Sequence, residues 1–115
     1  MESTGFILIQ TTIPDTMNPN PLCRALVDSG FSPCVQVIGT ISSTFTWNNQ
    51  IESSNEQLIT IKSKSLHFDA IADIIRQHHP YECPEIIATP ITHLSSDYAL
   101  WLQNNTLSHG KLGNI

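Results

Sequence analysis

The chain has 115 residues, with 5 Lys and Arg against 10 Asp and Glu, so its formal net charge is -5. This length predicts a single domain over residues 1–115. Charged residues make up only 13% of the chain, which argues against disorder driven by net charge. The basic residues are also too few and too dispersed to neutralise a row of phosphates, so nucleic acid is excluded as a partner.

Neither a membrane span nor a secretory signal is predicted. No stretch approaches the roughly 18 consecutive apolar residues that a spanning helix needs. Met1–Thr4 are polar and acidic, unlike the start of a secretory signal. The cysteines Cys23, Cys34 and Cys83 are odd in number and form no Cys-x-x-Cys pair, which favours free thiols. We therefore expect a cytoplasmic protein.

The first two elements are a strand and a helix. The β-branched run Gly5–Ile13 predicts a strand that is buried on both faces and ends at Pro14. Leu22, Ala25 and Leu26 then recur at helical spacing. The signals for the ends of this helix are Pro19 or Pro21 in its first turn and Gly30 at its C-terminal cap.

A long antiparallel hairpin follows. Cys34–Gly39 and Ile41–Trp47 predict one long strand, or two strands joined at the glycine. Asn48–Gln50 is a turn that tolerates positive φ, and Ile51–Ser63 returns as the partner strand. Within this strand, Glu52–Glu56 is a polar interruption.

A helix, a strand and a last helix complete the chain. Ser65 is expected to cap the second helix, which Pro80 ends. Glu85–Ile91 predicts the fourth strand. The last helix opens at Ser96 or Asp97, and the side chains expected to point inward are Tyr98, Trp101 and Leu102. Residues 106–115 read as a polar tail.

The order β-α-β-β-α-β with a C-terminal helix predicts an α+β, ferredoxin-like sandwich. In that arrangement two helices cover one face of the sheet, and the chain supplies nothing for the other. Aromatic residues on the long hairpin, Phe45 and Trp47, also lie beyond its own domain. We therefore predict a closed homo-oligomer in which the hairpin reaches a neighbour; the alternative is a monomer with a frayed hairpin.

The run His79–Ile86 reads His-Pro-Tyr-Glu-Cys-Pro-Glu-Ile. Further pieces along the chain belong with it: Thr12–Asp15, Cys34–Gln36, Phe45–Trp47, Ile51, Glu52, Glu56, Lys62, Tyr98, Trp101 and Leu102. Together these pieces resemble the divalent-cation tolerance family CutA, and His79–Ile86 is the most specific of them. The resemblance implies a homotrimer with sheets facing one another around a threefold axis, and a role in tolerance of divalent metals.

His78, His79 and Cys83 are the candidate metal ligands, since imidazole and thiolate suit copper. Adjacent helical residues diverge by about 100°, so the two rings do not easily face one ion. The resemblance implies copper binding by the two histidines and a cysteine in the first strand, where this chain has Thr11. In the structural alternative His79 caps the helix C-terminus and His78 is solvated.

Carboxylates form the second candidate site. The resemblance places five residues in a cleft between subunits: Glu56, Lys62, Tyr81, Glu82 and Glu85. Glu56 and Lys62 are either a structural ion pair or a ligand-binding or acid/base pair. No nucleophile beside a base and an oriented partner is evident, so we expect no enzyme.

The remaining candidates are structural. Cys34 is expected to be a small buried hydrophobe. The aromatic residues are expected to be core or interface anchors, with Phe45, Trp47 and Trp101 assigned to the oligomer interface.

Two functions follow. The first is a CutA-like protein of divalent-metal tolerance with weak copper binding. The second is a trimeric signalling or scaffold module, similar to the PII proteins, that binds a small ligand in the cleft between subunits.

Overall fold

The structure is a computed structural model that describes residues 3–108. Its elements in chain order are β1 (Phe6–Pro14), α1 (Asn20–Asp28), β2 (Cys34–Trp47), β3 (Gln50–Lys64), α2 (Phe68–His78), β4 (Ile86–Pro90) and α3 (Ser96–Asn104). The predicted α+β class and the order of elements are confirmed. Among the described residues, no helix has the length and apolar character needed to cross a bilayer.

The four strands form one antiparallel sheet in the order β2-β3-β1-β4. β1 is central, and its Ile9 lies between Ile61 of β3 and Ala88 of β4. Residues alternate between the two faces of a strand. The face that carries Ile9 and Ile61 packs on α1 and α2, and we call it the helix face. The face that carries Thr12, Glu56 and Lys62 is called the second face.

The core lies between the helix face and the two helices. Its buried side chains are Ile7, Ile9, Ile13, Leu22, Leu26, Phe31, Ile59, Ile61, Ile71 and Ile75. On the second face of β1, Phe6 and Thr12 are also buried. The prediction that β1 is buried on both faces is therefore confirmed.

The hairpin is continuous. Asn48 and Asn49 have φ of 51° and 63°, which is the geometry of a two-residue turn that matches the strand twist. A register shift between Val37 and Gly39 makes β2 one bulged strand. The polar segment Glu52–Glu56 is paired with β2 throughout, because backbone pairing does not depend on how polar these side chains are.

The ends of α1 follow the sequence signals, but the start of α2 does not. Pro19 is the N-cap of α1, and Gly30 follows its C-cap with φ of 81°. The prediction that Ser65 caps the second helix is wrong. A 3-10 turn over Ser65–His67 precedes α2, and the Ser65 amide donates to the Gly5 carbonyl.

The second face is not bare along its whole length. The ring of Tyr98 in α3 lies 5.9 Å from the Lys62 ammonium, which projects from that face. α3 therefore covers one end of the face, which corrects the prediction that the chain supplies no cover. Of the three side chains predicted to point inward, Leu102 is fully buried, Tyr98 is half-buried, and Trp101 is 44% exposed.

The predicted polar tail begins too early. Thr106 is buried, and its hydroxyl donates to the Leu102 carbonyl. Leu107 packs on the core, its amide donates to the Gly30 carbonyl, and its carbonyl accepts from the His67 ring. Residues 109–115 of the predicted tail lie outside the described residues.

Candidate functional site

The two histidines at the end of α2 make different bonds. His78 is the last residue of the helix, and its Nδ1 lies 2.9 Å from the Ile74 carbonyl oxygen of the preceding turn. His79 follows in extended conformation, and its Nε2 lies 2.6 Å from the Thr12 carbonyl oxygen of β1. The structural alternative is therefore only partly right: His79 is the C-cap residue of α2, but its ring joins the end of the helix to the sheet, and the ring of His78 bonds back to its own helix.

His79 has no ring nitrogen to spare in this arrangement. The Thr12 carbonyl is an acceptor, so Nε2 carries the proton and donates. Nδ1 accepts from the backbone N–H of Tyr81 at 3.1 Å. A metal ion on His79 has to displace one of these two bonds.

The third predicted metal ligand lies in the turn after α2. Cys83 is an exposed free cysteine. Among residues 3–108, no three side chains of His, Cys, Asp or Glu come together in a way that could hold a metal ion. The structure thus brings no third ligand to the predicted site.

Thr11, at the position where the resemblance implies a cysteine, lies on the helix face and is fully buried. Its hydroxyl oxygen has no hydrogen-bond partner within the described part of the chain. A buried hydroxyl without a partner is destabilising.

Replacing Thr11 with valine is therefore expected to raise the free energy of unfolding by about 1 kcal/mol, because it removes that hydroxyl and keeps the branched shape. Urea unfolding measures the change. Thr106→Val is the matched control with the opposite sign, since the Thr106 hydroxyl donates to a carbonyl. A loss of stability in Thr11→Val would contradict the prediction.

The Glu56 cluster consists of Glu56, Ser54 and Tyr81. Ser54 and Glu56 are two residues apart on β3 and share the second face. Glu56 lies between Pro14 of β1 and Ile41 of β2 and is only 6% exposed. The Ser54 hydroxyl oxygen is buried, and no residue between Ser3 and Ser108 hydrogen-bonds to it.

Tyr81 places its phenol at this cluster. Its ring packs against the His79 ring, with centroids 4.7 Å apart. The pKa of Tyr81 is raised above its ordinary value, first by partial burial and then by the Glu56 carboxylate, which is both a nearby negative charge and an acceptor for the phenol. The charge of Asp15 adds to this shift. His79 thus positions Tyr81, and Tyr81 reaches Glu56.

Lys62 belongs to a separate group. Its Nζ donates to Gln36 Oε1 at 2.7 Å and lies 3.8 Å from Cys34 Sγ. Lys62 and Glu56 are six residues apart on one strand, which is roughly 20 Å at the rise of an extended chain. Within one chain they therefore form no ion pair with each other.

Tyr98 completes the Lys62 group. Its pKa is raised, mainly by burial and secondly by Cys34, whose thiolate is a nearby negative charge and acceptor for the phenol. Cys34 is half-buried, so it is less enclosed than the buried hydrophobe that the sequence predicted.

The two remaining cleft candidates lie apart from both groups. Glu82 and Glu85 are exposed, and Glu85 accepts from the Gln10 side-chain amide at 2.9 Å. Within one chain, the structure therefore brings together Glu56 and Tyr81 from the predicted cleft, and it shows no hydrogen bond or ion pair from Lys62, Glu82 or Glu85 to either of them.

Sequence reasoning missed Ser54, Gln36 and the polar role of Tyr98. The two-residue spacing of Ser54 and Glu56 on a strand was a usable signal for a shared face. Nothing local to Tyr98 indicates that its hydroxyl meets Cys34, because that contact depends on how α3 folds back across the sheet.

Comparisons with known proteins identify the family. Residues 7–105 match the family model of the CutA1 divalent ion tolerance protein. Human protein CutA is 34% identical over 97 residues, which are 84% of this chain and 54% of that protein. The chloroplastic CutA of Arabidopsis thaliana is 30% identical over 100 residues, 87% of this chain and 55% of that protein.

The chain thus spans about half the length of these two relatives. Among solved structures, CutA1 from the psychrotrophic bacterium Shewanella sp. SIB1 superposes with a TM-score of 0.86 at 34% identity, covering 93% of this chain and all of that one. The match to the family model covers most of the sequence, and the fold agrees with that of a solved member. The chain belongs to the CutA1 divalent ion tolerance family.

Proposed function

We propose that this protein acts in tolerance of, or response to, divalent metal ions in the cytoplasm, without catalysing a reaction. The observation that carries the proposal is the family match over residues 7–105. Three unpaired cysteines, Cys23, Cys34 and Cys83, support a reducing compartment. The family's name describes tolerance of divalent ions, and copper is the metal we propose.

Copper binds weakly through His78, with His79 and Cys83 as its neighbours. The Nδ1 atom of His78 is held by the helix, which leaves Nε2 as its donor to a metal. Exposed Cys83 offers a soft ligand. His79 contributes only after it gives up its bond to Thr12 or to Tyr81, and this cost keeps the affinity low.

Copper titration followed by NMR of the histidine rings tests this proposal. We expect micromolar Cu(II) to broaden the His78 ring signals first, and we expect His78→Gln to lose most of the affinity. His93→Gln is the control, because His93 is exposed and its Nδ1 is occupied by the neighbouring Thr92 hydroxyl. Unperturbed His78 signals at micromolar copper would rule out the copper site.

We also propose that the protein is a homotrimer of ferredoxin-like subunits, with second faces turned toward one another. The strand order β2-β3-β1-β4 supports this topology. Large apolar side chains of the second face are left in solvent by a single chain, among them Phe45 and Trp47 at 41% and 43% exposure and Ile87. Large apolar side chains left in solvent on one face are typical of an interface.

Trp47→Ala tests the role of the hairpin in this assembly. Buried tryptophans are typical anchors of interfaces, so we expect the trimer to dissociate at protein concentrations about tenfold or more above those of the wild type. Analytical ultracentrifugation over a dilution series measures the change. Leu100→Ala, which removes an exposed apolar side chain from α3, is the control. A monomeric wild type would overturn the assembly itself.

A second function is favoured by one observation. Glu56 is almost fully buried, and the described residues supply no cation to it. This favours a small-ligand module similar to the PII proteins, with the ligand held at the Glu56 cluster between subunits.

A further inference from the structure

Glu56 is a buried carboxylate whose surroundings are negative or neutral. It is 6% exposed in a single chain, and its strand neighbours are Pro14 and Ile41. Asp15 adds a second negative charge near the Tyr81 phenol. Within residues 3–108, the one ion pair joins Arg76 to Asp73, both exposed on α2.

Within residues 3–108, no cation comes within 4 Å of the Glu56 carboxylate, and a carboxylate that is shielded from water without gaining an opposite charge is unfavourable. The phenol of Tyr81 supplies a neutral hydrogen-bond donor, which does not neutralise the charge. A cation bound beside the Glu56 carboxylate would therefore stabilise it.

The oxygen atoms around the site fit a particular kind of cation. Glu56 offers carboxylate oxygens, Ser54 offers a buried hydroxyl that has no partner in the described chain, and Tyr81 offers a phenol oxygen. These can accept from the three N–H donors of a primary ammonium group. The paired rings of Tyr81 and His79 add an aromatic wall, which favours an organic cation.

A divalent metal fits less well. Calcium takes six or more oxygen ligands, usually with several carboxylates. In the part of the chain that the structure describes, no three metal-ligating side chains of His, Cys, Asp or Glu converge. One buried carboxylate with two hydroxyls matches a single positive charge better than a double one.

We propose that the Glu56 cluster binds a primary ammonium group, carried either by a small amine or by a lysine side chain of another copy of this chain. Both sources present the same –NH₃⁺ chemistry. The proposal deepens the small-ligand function given above and names the class of its ligand. It does not depend on copper at His78.

Titration with n-butylammonium chloride, followed by NMR of the Tyr81 ring, tests the proposal. For a small-amine site we expect saturable shifts of the Tyr81 signals, and none with n-butanol or with sodium chloride at equal ionic strength. Glu56→Gln should weaken binding at least tenfold, because it keeps the size of the side chain and removes the charge. Ser54→Ala should weaken it by a smaller factor, about threefold.

Glu52→Gln is the matched control, because Glu52 lies on the same face of the same strand but is exposed. If wild-type protein binds no amine, ultracentrifugation of the two variants decides the source. Dissociation of the assembly by Glu56→Gln and not by Glu52→Gln assigns the ammonium to a lysine of another copy.

The proposal is overturned by equal amine binding in wild type and Glu56→Gln, or by no amine binding together with an unchanged mass in Glu56→Gln. Circular dichroism confirms that each variant is folded. The copper titration is read on different residues, so copper binding and ammonium binding can fail separately.

Discussion

Replacing His67 with alanine is expected to lower the free energy of unfolding by about 3 kcal/mol, one of the two largest effects that we predict. The His67 ring is fully buried and lies against Phe31, with centroids 4.9 Å apart. Its Nε2 lies 2.6 Å from the Leu107 carbonyl oxygen and donates to it. Alanine leaves both a cavity and a carbonyl without its donor.

The loss should be accompanied by release of the segment that follows α3. Leu107 is held at this point by His67 and by the Gly30 carbonyl, and it packs so closely on Gly30 that a Cβ there would lie 2.8 Å from Leu107 Cγ. Hydrogen exchange should therefore show faster exchange of the Leu107 amide in the variant.

His93→Ala is the control for His67→Ala, because His93 is exposed and should change stability by less than about 0.5 kcal/mol. Urea unfolding measures both variants. Equal stability of the two variants would mean that the His67 ring and its bond to the Leu107 carbonyl contribute nothing to the free energy of unfolding.

The sequence correctly predicted the ends of those helices and strands that are determined by the backbone preference of the turn or cap residue itself. The two asparagines of the hairpin and Gly30 after α1 all adopt positive φ, because Asn and Gly tolerate this backbone conformation better than other residues do. Ser65 failed for a different reason. Its hydroxyl donates to the carbonyl of Gly5, which is distant in sequence, and does not cap the helix, which begins only after a 3-10 turn.

In the candidate site, too, some contacts follow from local geometry and others depend on residues that are distant in sequence. Strand geometry alone could have placed Ser54 beside Glu56 and separated Glu56 from Lys62 by roughly 20 Å, although the sequence analysis used it for neither. The meeting of Tyr81 with Glu56 was not predictable from spacing, since it depends on the bond from His79 across to Thr12. The resemblance placed both in one cleft without supplying that physical reason.

His79 carries the second large effect. Replacing it with alanine is expected to lower the free energy of unfolding by about 2 kcal/mol, because the Thr12 carbonyl loses its donor and the Tyr81 amide loses its acceptor. Without the His79 ring beside it, Tyr81 is no longer held at Glu56, so the pKa of the Tyr81 phenol should fall toward its ordinary value. Urea unfolding and ultraviolet titration of tyrosine measure the two changes.

His78→Ala is the matched variant, since His78 bonds only to the Ile74 carbonyl of its own helix, and it should cost about 0.5–1 kcal/mol without moving the Tyr81 titration. A role of His79 purely as a copper ligand requires the opposite pattern. Metal-free protein would then be equally stable with or without the His79 ring, and only the copper affinity would change. Because both ring nitrogens of His79 are already bonded to backbone atoms, we expect the stability to change in the absence of any metal.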